Sequence, residues 1–258
     1  MAFDPEPAAT ALHEGRKARR ALARIAAVGP RDEAEAAAVQ VALARRFGVT
    51  PGGFKIGATG RRMQEYLGLP GPVAGFMPPD GILSSGTRRR FADFVNPGVE
   101  CELAVRLAAD LPPRPCDRER AGAAVGALCA AIEIVENRYE GGSLAFGTPW
   151  LIADQVFHAA AVLGAPDAGW RGIDLVGIAG RISVDGAVAG EGVGGDLLGH
   201  PLAALAWLAG SEVARAFGGL RAGQVVMLGS VTPPVWLKGP GRIVVAFPPL
   251  GSAEVVFD

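Results

Sequence analysis

Apolar positions along this 258-residue chain fall into two textures. From about Pro7 to Ala27 the chain is rich in Ala and Arg, with Thr10 and Ile25 as its β-branched exceptions, a pattern that predicts a helix. Gly29-Pro30 breaks it. Asp32-Glu33-Ala34-Glu35 opens a second helix whose acidic first turn and basic end, Arg45-Arg46, complement its dipole; Gly48 closes it. Beyond this point short apolar runs alternate with Gly/Pro turns, which predicts strands at Phe54–Ile56, Val99–Leu107, Ala131–Val135, Gly180–Ala189, Val225–Leu228, Arg242–Phe247 and Ala253–Phe257. Asp185-Gly186, flanked by alternating residues, is a hairpin turn signal. Helical patterns return at Arg118–Ala130, Gln155–Leu163 and Pro201–Ala216. Strands joined by irregular connections and occasional helices predict an α+β fold, with a helical N-terminal portion (1–50) and a β-rich core (51–258).

Composition narrows the partners. Lys and Arg number 25 against 26 Asp and Glu, a net charge of −1, which gives no basic excess for nucleic acid or an anionic membrane. Half the residues are apolar and 20% are charged, which excludes a disordered chain, and 37 Gly with 20 Pro argue against a helical bundle. A mean hydropathy of +0.28 raises a membrane reading. The uncharged stretch Ala222–Leu237 does not support it, because it holds Gln224, Ser230, Thr232 and Pro233-Pro234 and falls short of the ~20 apolar residues of a spanning helix. Met1–Pro7 has neither a cationic nor an apolar leader, and Cys101, Cys116 and Cys129 form no CxxC pair. A cytoplasmic protein with free thiols is the expectation.

The sharpest chemistry lies in Val99-Glu100-Cys101-Glu102-Leu103-Ala104-Val105. On a strand both carboxylates project from one face, while Val99, Cys101, Leu103 and Val105 form an apolar row on the other. A pair of this kind is common on solvated strands. However, a third carboxylate, Glu133, stands inside the apolar run Ala131-Ile132-Glu133-Ile134-Val135. Burying three anions without compensation would cost several kcal/mol each or force protonation. A hard divalent cation resolves this, and carboxylate oxygens suit Mg²⁺ or Mn²⁺. Glu136 and Glu140, beside Asn137 and Arg138, read as surface charge, and Arg88-Arg89-Arg90 as a solvated loop. Gly190-Glu191-Gly192-Val193-Gly194-Gly195 fits a dinucleotide-binding spacing, but the hairpin before it is the wrong context. No G-x-S-x-G is present, and His13, His158 and His200 lack ligand-like spacing.

Five segments in order carry a family resemblance: Gly53-Phe54-Lys55-Ile56-Gly57-Ala58-Thr59, Glu100-Cys101-Glu102, Ala131–Val135, Gly199–Ala209 and Leu220–Ser230. Across nearly its whole length the chain resembles the 2-keto-4-pentenoate hydratase group of the fumarylacetoacetate hydrolase superfamily. The resemblance implies a mixed β-roll core and a divalent metal, Mg²⁺ or Mn²⁺, held by Glu100, Glu102 and Glu133. It further implies Lys55 as proton donor or base, an acidic partner at Asp80, and Thr59 and Ser230 as binders of the substrate carboxylate. Asp80-Gly81 reads equally well as a turn. Where the family commonly has A-D-N-A-S-S, this chain has Ala153-Asp154-Gln155-Val156-Phe157-His158, with bulky residues at what the resemblance makes the pocket wall. His158 offers itself as a new acid/base group, but a packing or capping residue on a helix is the favoured reading. The implied activity is hydration of a small 2-hydroxydienoate or 2-oxo acid through a metal-stabilised enolate, by a homo-oligomer serving aromatic catabolism. The alternatives are a 4-oxalocrotonate-type decarboxylase, an acylpyruvate hydrolase, or a catalytically weak member serving as a partner subunit.

Overall fold

A computed structural model describes residues 2–22, 28–142 and 146–258. In chain order the elements are α1 (Glu6–Lys17), α2 (Glu33–Phe47), β1 (Gly53–Gly57), α3 (Arg61–Leu67), β2 (Val73–Met77), β3 (Ile82–Ser84), β4 (Thr87–Arg89), β5 (Pro97–Leu107), α4 (Arg118–Ala123) and β6 (Val125–Glu136). There follow α5 (Thr148–Ala153), β7 (His158–Leu163), β8 (Ala179–Val184), β9 (Ala187–Val193), α6 (Pro201–Ala209), α7 (Glu212–Ala216), β10 (Val225–Ser230), β11 (Val235–Trp236), β12 (Gly241–Phe247) and β13 (Gly251–Phe257).

Local chemistry explains several boundaries. The Asp32 side chain accepts from the Glu35 amide at the start of α2, and Gly48 ends that helix in the left-handed region at φ 68°. Asp185 and Gly186 both have positive φ between β8 and β9, as a tight hairpin turn requires.

The strands form two mixed sheets. The larger runs β2-β1-β10-β5-β6-β7-β3, with β11 also on β5; the smaller runs β4-β13-β12-β8-β9. Pairing is parallel at β1/β10, β3/β7 and β4/β13, and antiparallel elsewhere. Alternation along β5 and β6 divides their side chains. Val99, Cys101, Leu103, Val105, Ile132 and Ile134 join Ile182, Ile243, Val245, Phe247 and Val255 of the smaller sheet in the main core. The opposite face turns into the concave side of the larger sheet, where Met77, Ala104, Cys129, Ala131, Ala161, Val225 and Met227 form a second, smaller apolar cluster. Residues Ala8, Leu12, Val39 and Leu43 of α1 and α2 belong to the main core.

Three helix expectations fail. The Pro7–Ala27 helix ends at Lys17, and Leu22 instead pairs with Tyr139 in an isolated bridge; residues 23–27 lie outside the described set. Leu22 folds back onto Gly15, where a Cβ would overlap its side chain, so a tertiary contact overrides helix propensity. The Arg118–Ala130 helix stops at Ala123, because Val125 onward pairs with β5. Gln155–Leu163 is a loop followed by strand β7, held between β6 and β3; its alanines fit the narrow interior beside Glu133. The Arg88–Arg90 segment is not loop throughout, since Arg88 and Arg89 lie in β4 against β13. No helix among the described residues is long and apolar enough to cross a membrane, and Cys101, Cys116 and Cys129 are free thiols.

Candidate active site

Register brings the acidic residues together. Glu100 on β5 lies directly opposite Glu133 on β6, and Glu102 lies opposite Ala131, one position along the same face. One carboxylate oxygen from each of Glu100, Glu102 and Glu133 lies within 4.8 Å of the others. Glu102 and Glu133 are fully buried and Glu100 is half-buried. Like charges placed directly across a strand pair repel, so this arrangement is unfavourable on its own.

Curvature adds a cation. On a flat sheet β1 would stand about 14 Å from β6, three strand spacings away. Yet Lys55 Nζ reaches to 3.3 Å from Glu133 Oε1 and donates to the Val156 carbonyl at 2.9 Å. The sheet therefore curls, as expected of a roll, and turns β1 and β6 towards a common interior. His158, the first residue of β7, closes the cluster: its Nδ1 lies 2.8 Å from Glu133 Oε1. The Gly229 amide donates to Glu102 Oε2 at 3.0 Å. A Cβ at Gly229, whose φ is 107°, would overlap Thr59, so glycine is required there.

The electrostatics follow from this crowding. Removal from water, reinforced by Glu133, pushes the Glu100 carboxyl up to about 8. Burial, then Glu133 and Glu100, raise Glu102 well above the carboxylate range. Burial also opposes charge on Glu133, but Lys55 and His158 overcome it and hold that carboxyl below its ordinary value. Burial lowers the His158 imidazole despite Glu133, favouring a neutral ring that donates Nδ1–H to the Glu133 carboxylate. Glu102 Oε1, Glu133 Oε2 and His158 Nε2 are buried without a hydrogen-bond partner. Two buried orphan carboxylate oxygens and a trio of carboxylates within 4.8 Å of one another fit a hard divalent cation.

Two chambers meet at Glu100. One, of about 550 Å³, is the more polar and includes Thr59 and Ser230 in its wall; the other, of about 410 Å³, begins at Lys55 and is mostly apolar. Thr59 is buried. The Ser230 hydroxyl donates its one proton to the Thr232 carbonyl at 2.7 Å, a bond that it would exchange to donate to a substrate carboxylate. Asp80 is not brought to the cluster. It lies exposed on the short 3₁₀ turn Pro79–Gly81, outside both chambers, because Pro78-Pro79 and Gly81 shape a surface turn.

Glu140 is exposed as expected, but Glu136 is buried rather than a surface charge, and Arg138 beside it is buried too. Arg138 binds Glu136 Oε2 at 2.8 Å and both Asp154 oxygens at 2.9 Å, while Arg16 and Tyr139 bind Asp154 at 2.7 and 3.0 Å. Asp154 is thereby fixed just before Gln155, Val156 and Phe157, three successive non-glycine residues with positive φ. This strained loop presents the Val156 carbonyl to Lys55, sets Phe157 in the apolar chamber wall and delivers His158 to Glu133. His158 and the Gly229 amide are functional contacts that local pattern does not announce, since each partner is far away in sequence.

A curled mixed sheet with three converging carboxylates defines a class. Residues 55–257 match the fumarylacetoacetate (FAA) hydrolase C-terminal family, and the chain belongs to that family. It is 32% identical over 98% of its length, and 97% of the relative's, to a 2-keto-4-pentenoate hydratase of Paraburkholderia phymatum. It is also 34% identical to a 2-keto-4-pentenoate hydratase of Burkholderia vietnamiensis, over 80% of this chain and 77% of that one. Among solved structures, the 4-oxalocrotonate decarboxylase of Pseudomonas putida G7, complexed with magnesium and adipate, superposes with a TM-score of 0.90 at 24% identity, covering 98% of this chain and 97% of that one.

Proposed function

We propose that this chain is a metal-dependent hydro-lyase that adds water to a small 2-hydroxydienoate or 2-oxo acid of the 2-keto-4-pentenoate type. The observation that carries the reading is the trio Glu100, Glu102 and Glu133, with one oxygen of each within 4.8 Å of the others, buried partnerless oxygens on Glu102 and Glu133, and Lys55 beside Glu133. The hydratase relatives that match along most of the chain support it.

Glu100, Glu102 and Glu133 would hold the ion, and their oxygen-only chemistry favours Mg²⁺ or Mn²⁺. When bound, a divalent cation supplies an electrophilic anchor that withdraws charge from the keto oxygen of a 2-oxo acid. The protein's residues do the rest. Glu133 and the Val156 carbonyl hold the Lys55 ammonium at the chamber wall, where it is placed to give and recover a proton at substrate carbon. Thr59 and Ser230, on the polar side of Glu100, take the substrate carboxylate. This reading also has the chain working in a reducing cytoplasm as a homo-oligomer.

Loss of dienol ultraviolet absorbance that is abolished by EDTA and restored by Mn²⁺ is the expected assay result. Carbon dioxide release would instead favour the 4-oxalocrotonate-type decarboxylase alternative. Metal binding without turnover across a panel of 2-oxo acids would favour a partner-subunit role. The Lys55→Ala variant is expected to keep the metal and lose turnover.

A further inference from the structure

We infer that the substrate carries an apolar substituent, alkyl or aryl, on the end of its carbon chain remote from the 2-oxo acid head. This inference rests on the proposed function and assigns the substrate class of that site. The chamber leading from Lys55 and Glu100 has a volume of about 410 Å³. That lies in the range of ~300–1,000 Å³ typical of pockets for ligands much larger than a five-carbon acid, which would leave most of the space unfilled.

The lining decides what fills it. Leu67, Val135, Val156, Phe157, Pro234 and Trp236 supply an apolar wall. Beyond Lys55 and Glu100 at its inner end, the polar side chains are Asn96, Asn137 and the Tyr66 hydroxyl; no arginine or histidine lines this chamber among the described residues. Lys55 is already engaged by Glu133 and the Val156 carbonyl. A distal carboxylate entering here would leave water without meeting a free cation, which is unfavourable, whereas an alkyl or aryl group would bury apolar surface.

The aromatic side chains are set for such contact. Phe157 and Trp236 meet edge to face, with ring centroids 6.4 Å apart and planes at 83°. Phe157 is held at φ 67°, a left-handed conformation that is costly for a bulky residue, in the loop anchored by Asp154. Trp236 lies against β5 at Gly98, where a Cβ would come within 2.8 Å of the indole. Even so, Trp236 remains 40% exposed. This is a large apolar surface at the chamber that a ligand tail would cover.

Calorimetric titration of the Mn²⁺-loaded protein with saturated, non-reacting 2-oxo acids tests the inference apart from turnover. The probes are 2-oxopentanoate, 2-oxoheptanoate, 2-oxo-6-phenylhexanoate and the diacid 2-oxoheptanedioate. The two longer mono-acids are expected to bind at least about ten-fold more tightly than 2-oxopentanoate, and the diacid at least about ten-fold more weakly than 2-oxoheptanoate. Trp236→Ala is expected to narrow the ratio between the phenyl acid and 2-oxopentanoate. Metal-dependent binding of 2-oxopentanoate with no gain from the tail, or preference for the diacid, would overturn this inference and leave the 2-oxo acid reading intact. Failure of all four to bind would overturn both.

Discussion

Two groups of buried charges meet at the same loop and differ in how completely they are satisfied. In the first, Arg16 and Arg138 face Asp154 and Glu136, two cations against two anions, and Tyr139 completes the bonding of Asp154. Of the buried side-chain polar atoms in that network, Arg138 Nε is the one without a partner. In the second, Lys55 alone faces Glu100, Glu102 and Glu133, with His158 neutral, and two carboxylate oxygens and an imidazole nitrogen lack partners. The first network is closed and holds the chain in place. The second crowds three carboxyls around one lysine, two of them raised by burial so that they favour their protonated forms, and leaves acceptor atoms without partners inside the roll. Those atoms mark a place for something the chain does not itself supply.

Breaking the closed network should have the largest effect. Asp154→Ala leaves the buried Arg138 and the partly buried Arg16 without their shared anion and is expected to cost about 3–5 kcal/mol in urea unfolding. A loss much smaller than that would remove the distinction drawn between the two groups. Next in size, His158→Leu removes the donor that orients Glu133, and Mn²⁺ affinity measured by titration is expected to fall about 10–100-fold. An unchanged affinity would reduce His158 to a packing residue.

A third effect concerns pH. The raised Glu100 and Glu102 carboxyls bind protons more tightly in the folded chain than in the unfolded one. Their contribution to metal-free stability is thus fully present below the ordinary carboxylate range and is lost as pH rises towards about 8, the Glu100 value. A cation must displace those protons, so Mn²⁺ affinity is expected to climb between about pH 6 and pH 8, with proton release on binding. Titrations in buffers of different ionisation enthalpy measure that release, and an affinity independent of pH would contradict the placement of these groups. The smallest effect sharpens the contrast by its sign. Glu102→Gln keeps an acceptor for the Gly229 amide and replaces a buried carboxyl that already favours its neutral form, so metal-free stability should stay level or rise by up to about 1 kcal/mol. A marked loss would place Glu102 with the structural charges.

Much of this was legible along the chain wherever the signal was local. The alternation through Val99–Val105 separated carboxylates from core, Asp32 and Gly48 bounded a helix by their capping chemistry, and Glu133 stood out because its neighbours are aliphatic. What depended on distant partners was not legible. Glu136 looks like surface charge until Arg138, itself held by Asp154, is buried against it. His158 opens an alanine-rich run that reads as helix; only pairing with β6 and β3 makes it strand and turns the imidazole towards Glu133. Asp80 shows the converse: the family resemblance implies an acidic partner there, but the Pro78-Pro79 and Gly81 turn carries it to the surface.

Equilibrium dialysis of the metal-stripped protein against Mn²⁺, for the native chain and for Glu102→Gln and Glu133→Gln, bears most directly on the site. One ion per native chain is expected, with loss of more than about 100-fold in affinity in either variant, beyond what a supporting residue alone contributes. A native chain that holds no stoichiometric ion, or variants that hold it as tightly, would contradict the assignment of these carboxylates.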